Sequence, residues 1–132
     1  MRVRRREGAG AGAGSIDGDG RVTTSFPSSF ARADAVALQT DGKIVAAGTI
    51  FDSTLGRRVF ALARYNPNGS LDSTFGSSGK VTTDFAGTTD FAGCNAFATD
   101  VAIQADGKIV ALGHAAFSPT GCVSAIDFRW AL

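Results

Sequence analysis

The chain has 132 residues and a formal net charge of +1, the length of one small domain. Eleven Asp stand against a single Glu, Glu7, alongside 17 Gly and 10 Phe; Asp and Gly favour turns where Glu favours helix interiors, so the balance points to strands joined by tight turns. The positive sign comes from Arg2, Arg4, Arg5 and Arg6 against Glu7; without them 9 basic side chains face 11 acidic ones, a balance of −2 that excludes a broad nucleic-acid footprint.

Residues 1–16 hold the Gly-Ala alternation of 8–14, a low-complexity tail expected to be disordered. Its Arg-rich start leads into that alternation rather than into the apolar core of a signal peptide. No later stretch approaches the roughly 20 apolar residues of a membrane-spanning helix. Asp17-Gly-Asp-Gly20 resembles the opening of a calcium loop, but the twelfth position is Ser28 where such a loop needs Glu. A turn is the favoured reading.

Strands are expected at 22–26, 33–39, 43–48 and 59–65, where apolar and β-branched residues alternate with polar or small ones. A second set is expected at 81–85, 99–104, 108–113 and 123–130. Asp41-Gly42 and Asp106-Gly107 each separate two apolar runs, the signature of a type I′ hairpin with positive φ at both central residues. Asn68-Gly69 marks a further turn.

The two sets are copies of one another. Residues 20–26 match 79–85 at an offset of 59; residues 35–46 match 100–111, and 63–65 match 128–130, at an offset of 65. The change of offset places a six-residue insertion between Phe85 and Thr99. The organisation is therefore a tail (1–16), a first repeat (17–78) and a second, shorter repeat (79–132). Four short strands per unit at a fixed period imply an all-β fold of four-stranded antiparallel blades, two repeats of a β-propeller-like array. Sandwich and solenoid are the alternatives. Two such blades would leave apolar faces open, with Phe26, Phe60, Leu62, Phe85 and Ile109 as the residues expected there. If 33–39 is the innermost strand, 81–85 becomes the outer strand of the first blade; the second blade then lacks its own, and 22–26 is suited to fill that place in a closed ring or a partner chain.

The segments 79–85, 35–48 and 60–76, with a second partial copy at 99–113, resemble the delta-60 repeat, a bacterial β-propeller family of unknown function. The resemblance covers most of 17–132. It implies tandem arrays in large proteins that are secreted or at the cell surface, with neighbouring propeller repeats or further copies as partners. It carries no assigned catalytic residues and no cofactor. The second copy departs from the pattern at 124–130 and ends before the turn that follows Tyr65 in the first, so a truncated second repeat is expected.

Site candidates are few. His114 is the single histidine; with Asp84, Asp90 and Asp100 on one face it would form a loop site for a metal or for acid–base chemistry. Cys94 and Cys122 fall in loops expected on one face of a meander blade, where a disulfide would suit an oxidising compartment. Asp41, Asp72 and Asp106 are expected to cap their own turns. Lys43 and Lys108 are expected as solvated edge charges, and Arg64 and Arg129, each beside an aromatic, as ion-pair or stacking residues. The leading expectation is a non-catalytic scaffold or interaction segment. The alternatives are an enzyme, or a glycan- or metal-binding module built on 86–98 and 115–122 with Phe91, Phe97 and Phe117 as stacking surfaces.

Overall fold

A computed structural model describes residues 2–4, 21–84, 94–116 and 130–131. The described residues form nine strands: β1 (Arg2–Arg4), β2 (Arg21–Thr23), β3 (Ala31–Leu38), β4 (Ile44–Asp52), β5 (Arg57–Tyr65), β6 (Lys80–Thr83), β7 (Asn95–Ile103), β8 (Ile109–Ala116) and β9 (Trp130–Ala131). All pairings between strands are antiparallel, in sheets ordered β1-β2, β3-β4-β5-β6 and β7-β8-β9. No helix of the described residues is long and apolar enough to cross a membrane.

β4 is central and covered on both faces. Its side chains alternate between two cores, as strand geometry dictates. Val45 and Ala47 enter one core; Ile44, Ala46 and Ile50 enter the other. The first core lies between the two larger sheets and joins Phe60 and Leu62 of β5 to Ala96, Ala98, Val101, Ile109 and Ala111 of β7 and β8. The second lies on the opposite face of the four-stranded sheet, where Val22 and Phe26 pack against Tyr65, Val59 and Ala61. Thr24, between them in the alternation, shares a 2.5 Å hydroxyl hydrogen bond with Tyr65.

The turns differ from the type I′ expectation. Gly42, Gly69 and Gly107 have φ of 83°, 91° and 83°, but Asp41, Asn68 and Asp106 do not adopt positive φ. In each case the glycine N–H donates to the carbonyl three residues back: Gln39, Asn66 or Gln104. The closing pairs are Gln39 with Lys43, Asn66 with Ser70 and Gln104 with Lys108. This is the three-residue loop with a left-handed glycine at its end. The Asp or Asn earns its place differently, by accepting the N–H two residues on: Lys43 at 3.0 Å, Ser70 at 3.0 Å and Lys108 at 3.1 Å.

β4 and β8 also run past Gly48 and Gly113, where the alternation was expected to stop. These glycines do not end strands; they face bulges. Register shifts between Ala33 and Ala35 opposite Gly48, and between Ala98 and Asp100 opposite Gly113. Each bulge flips the parity of its strand, so Ala35 and Ala37 join the first core while Ala31 joins the second.

Two further expectations are corrected. Phe26, Phe60, Leu62 and Ile109 are buried rather than exposed, because the two sheets and the 21–30 segment cover each other's apolar faces; Phe85 lies outside the described residues. Within the tail expected to be disordered, residues 2–4 pair with β2, Arg2 opposite Thr23 and Arg4 opposite Arg21. Arg-Val-Arg can add to the edge that a short strand leaves open. Residues 5–20, including Asp17 and Asp19, lie outside the described residues.

Candidate functional site

The starts of β3, β5 and β7 and the ends of β4, β6 and β8 share one rim, as the pairs Ala31–Ile50, Asp52–Arg57 and Asn95–Ala116 require. His114, Asp84 and Asn95 all stand at this rim, but the structure gives each a separate partner. Asp84 accepts two hydrogen bonds from Arg57, at 3.1 Å from Nε and 2.6 Å from Nη2. Asp100 turns back on its own strand and accepts the Val101 N–H at 2.8 Å. His114 stacks on its cross-strand neighbour Phe97, the centroids 5.3 Å apart and the planes 19° from parallel. Among the described residues no three His, Cys, Asp or Glu side chains gather closely enough to hold a metal ion. Asp90, Phe91 and Phe117 lie outside the described residues. So does Cys122, the expected partner of Cys94, which is itself buried just before β7.

A row of stacked groups not anticipated from the sequence crosses this rim. The Arg58 guanidinium sits 5.2 Å from the Phe30 ring and 5.7 Å from the Phe97 ring, and His114 stacks on Phe97. The Arg58 N–H also donates to Asn95 Oδ1 at 2.8 Å. The row ties the two larger sheets together, and its members are 30, 58, 97 and 114 in sequence, so no local pattern announces it.

At the opposite rim the charged residues meet around Asp72. This carboxylate is only 3% exposed, yet Lys43 Nζ lies 2.9 Å and Arg64 Nε 2.8 Å from its Oδ2. Its Oδ1 accepts from the Thr74 hydroxyl at 2.6 Å and the Thr74 N–H at 3.1 Å. Arg64 also lies 4.5 Å over Phe75, which meets the ion-pair and stacking expectation for that residue. Lys43 is not a solvated edge charge; Asp72 draws it in. Lys108, its equivalent, instead meets Asp106 at 3.3 Å with both side chains more than half exposed, a pair worth little.

The Thr74 hydroxyl, then Lys43, with Arg64 adding, hold the Asp72 carboxyl well below the usual carboxylate range against the opposing effect of burial. A lowered folded-state pKa stabilises the fold above the unfolded value of about 4, and that stability fades as acid carries the pH down toward the folded value. Asp72→Asn is therefore expected to lower Tm at neutral pH and to flatten the loss of Tm between neutral pH and about pH 3. Thermal melts across that range read both effects. An unchanged acid profile would show that the carboxylate does not carry it.

The class these features define is an all-β protein of antiparallel sheets, in which the ion pairs Arg57–Asp84, Lys43–Asp72 and Arg64–Asp72 tie neighbouring segments together. Residues 39–75, from the first turn through β4 and β5 to the loop holding Asp72, match the family described as a β-propeller domain of unknown function, DUF5122. No curated protein and no solved structure matched the chain.

Proposed function

We propose that the chain is a non-catalytic segment of two successive β-propeller repeats of the delta-60 type. It serves as scaffold or interaction surface in a larger bacterial protein that is secreted or at the cell surface. The carrying observation is the strand hand-off: β6, which opens the second sequence repeat, pairs with β5 and closes the sheet of the first. Units linked in this way pack in series, as propeller blades do. The partners of the segment are then neighbouring repeats or further copies of this chain. No cofactor enters this reading.

A second reading, recognition of a small ligand at the rim, draws on the half-exposed row of Phe30, Arg58, Phe97 and His114. Propellers host many activities, so fold alone does not decide between them. The non-catalytic reading is tested by a broad hydrolase and group-transfer screen of the full chain beside a triple variant, His114→Ala, Asp84→Asn and Asp100→Asn. Equal, background turnover in both is expected. Turnover present in the natural chain and absent in a folded triple variant overturns the non-catalytic reading.

A further inference from the structure

The interface between the two larger sheets has a repeat counterpart whose β3 side is open. Inside the chain, Val101, Ile103, Ile109 and Ala111 present one face of β7 and β8 to Ala35, Ala37, Val45 and Ala47. Subtracting the repeat offset of 65 gives Val36, Leu38, Ile44 and Ala46 on β3 and β4. Register places these four on one surface, Val36 opposite Ala46 and Leu38 opposite Ile44. That surface is the far face of the four-stranded sheet, where Ile44 and Ala46 enter the second core. Val101 is 7% exposed, whereas Val36 is 56% and Leu38 72% exposed.

What lies on this far face follows the same logic. Val22 corresponds to Val81 at the offset of 59, and both are half-buried against a core, Val81 in the first and Val22 in the second. The chain's own 22–26 segment thus fills the outer part of the face, as β6 does for the next sheet. Of the inner part, Val36 and Leu38 on β3 are uncovered while Ile44 and Ala46 beside them are buried, and the counterpart of Val36 and Leu38 inside the chain is covered by the inner strands of a neighbouring sheet. The receiving surface for such a contact is also repeated. Ala37, Val45 and Ala47 correspond to Ala102, Val110 and Leu112, which share the outer face of the β7–β8 pair; Ala102 is exposed and the other two half-buried. Asp100 stands there in the place of Ala35, its Oδ1 taken up by the Val101 N–H.

We propose that this chain associates head to tail with a second copy of itself, the face around Val36 and Leu38 receiving the partner's β7–β8 face around Ala102, Val110 and Leu112. The proposal rests on the propeller reading and names the partner it would take. Because the two surfaces differ, the contact is heterologous and repeats until the ring closes or a filament grows.

Light scattering and sedimentation of the full chain over a wide concentration range test this. The expected result is a mass that rises with concentration above that of one chain. Leu38→Asp and Ala102→Arg change exposed side chains on the two faces, so each variant should keep the circular dichroism and Tm of the parent. Each alone should weaken association at least about tenfold. Mixed in equal amounts they should form a dimer and stop there, since one intact face remains on each. A chain monomeric at every concentration, or variants that do not complement on mixing, overturns the proposal. Complementation also separates it from a symmetric contact, in which a face binds its own copy. Monomeric behaviour without His114-dependent turnover would remove self-association alone, and turnover would remove the non-catalytic reading whatever the mass.

Discussion

Gly48→Ala and Gly113→Ala are each expected to destabilise the fold by more than any surface change in the chain. A Cβ on Gly48 would lie 1.8 Å from the Arg32 carbonyl oxygen, and one on Gly113 would lie 2.0 Å from the Phe97 carbonyl oxygen. Both obstacles are backbone, and in both the Cα of the residue at the bulge, Ala33 at 2.8 Å or Ala98 at 2.9 Å, is also too close. At Gly113 the tip of the Phe60 ring, 2.4 Å from that Cβ, is a third obstacle. Ordinary overpacking costs about 1–3 kcal/mol, where side chains can yield. Here a strand pair must separate or lose its bulge, so the loss should reach or exceed the upper end of that range. Losing the bulge would also reverse which face Ala35, Ala37, Val101 and Ile103 present. Chemical denaturation measures the first effect; altered hydrogen exchange in β3 or β7 reports the second. A loss below about 1 kcal/mol at both sites would show that the bulges yield easily.

Phe60→Ala should have the second large effect. Phe60 is fully buried, in the core between the two larger sheets. Its ring tip reaches the space that Gly113 leaves open on the other sheet. Truncation removes a large apolar side chain and leaves a cavity bounded by two sheets whose backbones are fixed by their own ladders. Such Phe→Ala changes cost about 3–5 kcal/mol, a large share of the roughly 5–15 kcal/mol that holds most domains folded. The midpoint of urea unfolding should fall accordingly, or the variant should be unfolded in buffer. An almost unchanged midpoint would mean that the two sheets are not held together through this ring.

The repeat was legible because its carriers are local. Residues 35–46 and 100–111 match position by position, and each copy contains a turn whose Asp and Gly are set by backbone geometry alone. Strand identities followed from alternation, and the hand-off of 81–85 followed from asking which strand is innermost. The strand ends were misjudged where a glycine faced a bulge, since a glycine required by a neighbouring carbonyl and a glycine ending a strand look alike in one dimension. Burial of Phe60 and Leu62 was missed because it depends on a second sheet at a distance in sequence. The rim row and the Asp72 cluster were hidden for related reasons. Arg58 meets rings 28 and 39 positions away, and Lys43 meets a carboxylate from another loop. His114 attracted notice as the lone histidine, a feature of composition, and the fold gives it an aromatic neighbour, Phe97.

The strand hand-off has a consequence for how such a chain can be copied and rearranged. The stretch of sequence that repeats and the sheet that folds are out of step by one strand. Duplicating or deleting one whole sequence period therefore leaves every internal sheet with four strands, because each new unit receives its closing strand from the unit after it and donates one to the unit before. A cut placed between sheets in three dimensions would not keep this property, since it would separate β5 from β6. The unit of inheritance that preserves the fold is the linear period, and the sheet itself is shared property of two adjacent periods.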